Sequence, residues 1–138
     1  FKELLKQNPS NAPVLNYLGY MLADRGVKLE EALGYIKDAV AIEPKNGAYL
    51  DSLGWVYFRL NDLEKAEKYL LEASAITRDD PTIVEHLGDL YYKTGDLRKA
   101  EGYWMQSVRL GTDEEETMKV RRKLESLQDK LRKQKPAK

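Results

Sequence analysis

Residues 50–73 read LDSLGWVYFRLNDLEKAEKYLLEA, and their spacing decides the fold. Leu50, Leu53, Val56 and Tyr57 recur at helical intervals, and Leu63, Ala66, Leu70 and Ala73 do so again after a short break. At the break stands Asn61, a residue type that tolerates the left-handed conformation closing a helix. Asp62 follows, and its carboxylate can accept backbone N–H bonds from the next helix. The stretch therefore predicts two helices joined by a tight turn.

The same pattern occurs three times. Leu18-Gly19, Leu53-Gly54 and Leu87-Gly88 lie 35 and then 34 residues apart. Ala32, Ala66 and Ala100 repeat in that register, as do Tyr35, Tyr69 and Tyr103, and Ile36, Leu70 and Trp104. One extra residue falls between Gly26 and Leu29. Gly26, Asn61 and Gly95 mark the turns, Asp62 and Asp96 the helix starts, and Pro9, Pro44 and Pro81 the junctions between units. Gly19, Gly54 and Gly88 fall inside helices, where each costs about 1 kcal/mol relative to Ala. Three equivalent glycines predict a close helix crossing where a Cβ would clash, with Ala32, Ala66 and Ala100 as the small partners.

Both ends of the chain carry information. Phe1, Leu4, Leu5 and Pro9 stand 35 residues before Ile36, Ala39, Val40 and Pro44, so residues 1–8 read as the second helix of an earlier unit. The expectation is a C-terminal fragment of a longer repeat protein. At the other end, Thr112 with Glu115 reads as a capping box. Val120, Leu124, Leu127 and Leu131 then form a narrow apolar stripe. A solenoid needs a terminal element with one apolar and one polar face, which is the preferred role for this helix. A two-heptad coiled-coil seam is the alternative.

The period, the Leu-Gly pairs with Leu22, Tyr57 and Tyr91 three residues on, the second-helix alanines and the closing prolines resemble tetratricopeptide repeats, over about residues 1–111. Departures are the inserted residue, Ser107 where the other units have Ala39 and Ala73, and the shifted Pro81. The resemblance implies an all-α protein of bacterial type, a right-handed superhelical solenoid of antiparallel helix pairs. Its parts would be a preceding half-unit helix at 1–8, units at 12–46, 47–80 and 81–111, a capping helix at 112–134 and a tail at 135–138, all one domain. In the resembled fold the first helices line a concave groove. The implied partner-binding positions are Asn16, Tyr20, Ala23 and Asp24, then Asp51, Trp55, Phe58 and Arg59, then Glu85, Asp89, Tyr92 and Lys93. Trp55 is expected to be exposed, and the aromatic residues beside charges of both signs suit a binding hot spot.

Composition closes off other functions. The 138 residues include 23 basic and 23 acidic side chains, are 42% hydrophobic and 33% charged, and contain no Cys and one His. Disulfides, thiolate metal sites and thiol nucleophiles are excluded, and no phosphate-binding glycine loop or activated nucleophile is present. No catalytic residue, cofactor or metal is expected. His86, on a first helix, reads as a helix-interface or surface residue. The neutral total hides nine Lys/Arg against two acids in residues 119–138, so an acidic body carries a basic end. The expected function is a non-catalytic scaffold that binds a peptide or helix of another protein. Self-association through the terminal helices is the first alternative. Attachment of the basic end to an anionic surface or nucleic acid is the second, ranked lower because no aromatic interleaves the cations. Grip on the acidic C-terminus of a heat-shock chaperone is disfavoured, because Asn16, Tyr20, Ser52, Thr82 and His86 supply too few cations for two carboxylates. No compartment is indicated.

Overall fold

The structure is a computed structural model that describes residues 11–134. Helix α1 spans Ala12–Arg25, α2 Leu29–Ile42, α3 Gly47–Arg59, α4 Leu63–Ile76, α5 Pro81–Thr94, α6 Leu97–Leu110 and α7 Glu114–Gln134. No strand occurs among the described residues, and the fold is an all-α helical repeat. The expected helix at 1–8 and the tail at 135–138 lie outside the described residues. One compact unit ends at Arg78 and a second begins at Asp79.

In the first unit α1 packs on α2, α3 on α4, and α3 also meets α1 and α2. Its helices begin and end as local chemistry dictates. Asn11, Asn46 and Asp62 accept N–H bonds from Val14, Tyr49 and Lys65, each satisfying a donor that the first helical turn would leave orphaned. Gly26 at φ 70° and Asn61 at φ 66° close α1 and α3 in the left-handed region. The N–H groups of Val27 and Asp62 then reach back to the carbonyls of Leu22 and Tyr57. The inserted residue removes a cap: Lys28 precedes α2 at φ 49° and offers no side-chain acceptor.

The second unit repeats the device and adds a helix. Asp80 and Asp96 cap α5 and α6, and Gly95 at φ 92° closes α5, with the Asp96 N–H donating to Tyr91 O. Helix α7 packs on α6 and buries Val120, Leu124 and Leu127, while Leu131 is half-buried. Its cap is Asp113, whose carboxylate accepts from the Glu116 N–H at 3.0 Å, and not the expected Thr112–Glu115 pair. An aspartate accepts as readily as a threonine, and the first turn starts one residue later than the sequence pattern suggested.

The repeat columns find their reason in the crossings. A Cβ on Gly54 would lie 2.7 Å from Leu70 Cγ and 3.1 Å from its backbone nitrogen. Gly19 and Gly88 face Ile36 and Trp104 in the same way. The glycine is thus a notch for the large side chain four residues beyond the alanine. Of the expected alanine partners, Ala32 lies against Gly19 through its carbonyl oxygen, 3.0 Å from where a Cβ would stand. The nearest atoms at Gly54 and Gly88 belong to Leu70 and Trp104. Ala32, Ala66 and Ala100 are fully buried alongside. The tyrosine column stacks Tyr57 on Tyr69 at 5.7 Å and Tyr91 on Tyr103 at 5.6 Å, with Lys65 and Lys99 over the first ring of each pair. Tyr35 instead donates its hydroxyl to Glu31, because Leu22 stands where the other units have a tyrosine. Ser107, the departure from alanine, donates to Pro81 O at 2.9 Å and so ties α6 to the start of α5.

Helix α3 is buried around nearly its whole circumference, as a helix enclosed by neighbours must be. Trp55 is 7% exposed, against the expectation of exposure, and its ring stacks on Phe58 at 4.9 Å. Urea unfolding reads three consequences of these crossings. Gly54→Ala destabilises by about 1–3 kcal/mol, because overpacking outweighs the gain in helix propensity. Gly102→Ala, in α6 with nothing within 4 Å of the new methyl, stabilises by about 0.5–1 kcal/mol. Trp55→Ala loses about 3–5 kcal/mol as a core truncation.

Candidate functional site

Helix α1 carries exposed apolar side chains in the first unit. Tyr17 is 48% exposed and Met21 36%, one turn apart on a single side of the helix. Asp24 is exposed and Asn16 and Tyr20 are half-buried on the adjoining strip. Ala23 is fully buried, and so belongs to the core. Sequence reasoning missed Tyr17 and Met21 because it followed the register of the Leu-Gly pairs. Their i, i+4 spacing beside Tyr20 was the available signal.

Helix α3 contributes less surface than its sequence suggested. Asp51 and Trp55 are buried, Phe58 is half-buried, and Arg59 is exposed. The Arg59 guanidinium lies over Gly26, its Cζ 3.5 Å from where a Cβ would stand. It therefore sits at the C-terminal end of α1, where the helix dipole favours a cation. Ser52 is buried and donates its hydroxyl to Ala48 O at 3.1 Å.

In the second unit two of the expected positions on α5, Glu85 and Asp89, are met by the chain's own α7, while Tyr92 is 41% exposed. Glu85 and Asp89 each accept from Lys123 Nζ of α7 at 2.7 Å. Asp89 also accepts from the indole N–H of Trp104 at 3.2 Å. Lys123 Nζ lies 5.3 Å from the Trp104 ring, and Lys130 Nζ 5.4 Å from the Tyr92 ring. Tyr92 leans on Trp104 at 5.4 Å. Burial pushes the Asp89 carboxyl above the usual carboxylate range, against the pull of Lys123 and His86. Burial pulls Lys123 down, yet Asp89 and Glu85 together hold it above its ordinary value. Lys93 is exposed, Thr82 is exposed, and His86 is 4% exposed, within the helix interface. Lys123, Lys130 and Trp104 were read as basic tail and repeat column, and only the packing of α7 joins them to α5.

A cleft of about 190 Å³ lies beside this cluster, lined by Pro81, Thr82, Glu85, Ser107, Thr117 and Val120 among others. Among the described residues no cluster of three or more His, Asp or Glu side chains could hold a metal ion. No helix among them is long and apolar enough to cross a membrane.

The comparisons with known proteins agree with this architecture. Over 60 residues the chain is 42% identical to the TPR repeat-containing protein PA4667 of Pseudomonas aeruginosa. That match covers 44% of this chain and 10% of the relative, so the chain spans a small part of that relative's length. The thermophilic TPR protein TTC0263 of Thermus thermophilus superposes with a TM-score of 0.76 at 26% identity, covering 91% of this chain and 68% of that one. The first TPR of Spaghetti (RPAP3), bound to the HSP90 peptide SRMEEVD, superposes at 0.73 with 21% identity, covering 87% and 92%. The Yersinia enterocolitica type III secretion chaperone SycD, in complex with a peptide of the translocator YopD, gives 0.72 at 17% identity, covering 86% and 92%. Residues 28–81 and 52–115 match the tetratricopeptide repeat family model. With three helix pairs in one register and that match across most of its length, the chain belongs to the tetratricopeptide repeat family.

Proposed function

We propose that the chain is a non-catalytic interaction module and that the open face of α1, with its neighbour α3, takes a peptide segment or helix of another protein. The observation that carries this reading is the exposure of Tyr17 and Met21 beside the half-buried Tyr20. Large apolar side chains next to polar ones, gathered on one side of a helix, are the composition of a binding surface. Tyr20 and Phe58 would supply apolar contact; Asn16, Asp24 and Arg59 would set orientation and register. Asp51 and Trp55 support that face from within. Lys93 would engage a partner separately, from α5.

Two structural neighbours hold peptides, which supports a peptide-binding role without specifying the ligand. An acidic C-terminus of the chaperone type does not fit, since Ser52 and His86 are buried and neither is a fixed cation. Attachment through the basic end is weakened by the chain's own acids: Lys119 pairs with Glu116, Lys123 with Glu85 and Asp89, and Arg132 and Lys133 with Asp129.

Selection from a display library of short random peptides on the immobilised chain tests the reading. The selected peptides should lose at least tenfold in affinity on chains carrying Tyr17→Ser with Met21→Ser, or Tyr20→Ala. That loss corresponds to about 1.4 kcal/mol. The melting temperature of the Tyr17/Met21 chain should move by no more than a few degrees. Peptides indifferent to these changes would contradict the assignment.

A further inference from the structure

Three helices begin at equivalent places with different residue pairs. Asn11–Ala12 starts α1, Asn46–Gly47 starts α3 and Asp80–Pro81 starts α5, 35 and then 34 residues apart. At each start the first residue of the pair is the cap: Asn11 accepts from Val14, Asn46 from Tyr49, and Asp80 from Thr82 and Ile83. Only the middle start joins a side-chain amide to a glycine. That glycine is imposed by its surroundings. A Cβ at position 47 would collide with Thr77, the C-cap of α4, and would stand 3.4 Å from Ala73 O.

An asparagine followed by glycine is chemically labile. The next residue's backbone nitrogen can attack the side-chain carbonyl carbon, and a residue without Cβ leaves that approach open. Here a bond forms between Gly47 N and Asn46 Cγ, the Cγ–Nδ2 bond breaks, ammonia leaves and a cyclic imide remains. Water then opens the imide at either carbonyl, giving an aspartyl or an isoaspartyl linkage. The sequence consumes water alone and changes no oxidation state. Gly47 is the first residue of α3, so its N–H is one of the donors that a helix leaves without an intrahelical acceptor.

The native cap holds the reaction back. Ring closure needs the Gly47 nitrogen on the same side of the Cα–C bond as the Asn46 Cβ. At φ −86° and ψ 110° the backbone turns it away instead. Asn46 Oδ1 is held by the Tyr49 N–H at 3.1 Å, and Nδ2 donates weakly to Glu43 at 3.5 Å. Attack therefore waits for the first turn of α3 to open, a local event that costs less than unfolding the unit. The two products differ when the turn closes again. An aspartyl carboxylate can cap as Asp80 does in α5, and the helix dipole favours its charge. An isoaspartyl linkage adds a methylene to the main chain and moves the acceptor away from the Tyr49 N–H. Gly47, Tyr49 and Leu50 are buried, so a first turn that cannot close also loses packing.

We propose that Asn46–Gly47 is a site of spontaneous deamidation gated by the cap of α3, and that its isoaspartyl product holds the start of α3 open. The first unit thus carries an ageing switch that works in one direction, independent of where any partner binds.

The test warms the full chain at mildly alkaline pH, folded and in guanidinium chloride. Peptide mapping follows the mass change from amide to acid, and electron-transfer fragmentation separates aspartyl from isoaspartyl. In guanidinium Asn46 should convert ahead of Asn11, Asn16 and Asn61, whose followers Ala12, Tyr17 and Asp62 all carry a Cβ. The folded chain should convert Asn46 at least about tenfold more slowly, because only the opened fraction reacts. The isoaspartyl fraction should melt below the unmodified chain and be cut faster by protease near the start of α3. An Asn46→Asp chain should melt within a few degrees of the unmodified one. An Asn46→Ser chain, which keeps a capping oxygen, should show no conversion in residues 46–59. Equal rates in the folded and unfolded chains, or another asparagine converting ahead of Asn46 in guanidinium, would overturn the proposal. So would an isoaspartyl fraction as stable as the unmodified chain.

Discussion

A missing methyl group organises this protein. At Gly19, Gly54 and Gly88 the first helix of each pair lacks the Cβ that would collide with Ile36, Leu70 and Trp104 of the second. The absence admits a large side chain into the helix surface and fixes the crossing of each pair. A glycine inside a helix weakens it locally, and the buried side chain in the notch offsets that cost. Tight turns that share one hydrogen-bond pattern then hold each pair antiparallel, so local chemistry and packing specify the same geometry.

The third notch shows how a structural device acquires a second use. Ile36 and Leu70 fill theirs with hydrocarbon, whereas Trp104 brings a donor. Its indole N–H reaches Asp89, and Asp89 with Glu85 receives Lys123. One column of the repeat thus passes from packing to polar recognition without any change in helix geometry. The consequence is that α5 meets α7, while α1 keeps Tyr17 and Met21 exposed and Tyr20 half-buried. The two units present different surfaces from the same repeat because different side chains occupy equivalent places.

Much of this was legible in the sequence. The period, the left-handed residues Gly26, Asn61 and Gly95, and the capping Asp62 and Asp96 are set by interactions within a few residues, and a one-dimensional pattern carries such information. The notch itself was visible as three glycines out of place, but its occupant was misassigned to the alanines. Sequence spacing gives a helix face, and which side chain on that face reaches a neighbour depends on the crossing. Trp55 was misread for the same reason: its register pointed towards the expected groove, and burial by surrounding helices is a tertiary fact. Lys123 and Lys130 looked like part of a charge run, because the carboxylates they meet lie 34 and 38 residues away for one and an aromatic ring of α5 for the other.

The notch can be measured directly by a double-mutant cycle on Gly54 and Leu70. If Leu70 fills the space that glycine leaves, Leu70→Ala should relieve the clash made by Gly54→Ala. The doubly substituted chain should then be more stable by at least about 1 kcal/mol than the sum of the two single changes implies. Urea unfolding of the four chains gives the coupling. Strict additivity would show that Gly54 and Leu70 do not share the crossing, and the glycine column would lose its place as the element that orders the fold.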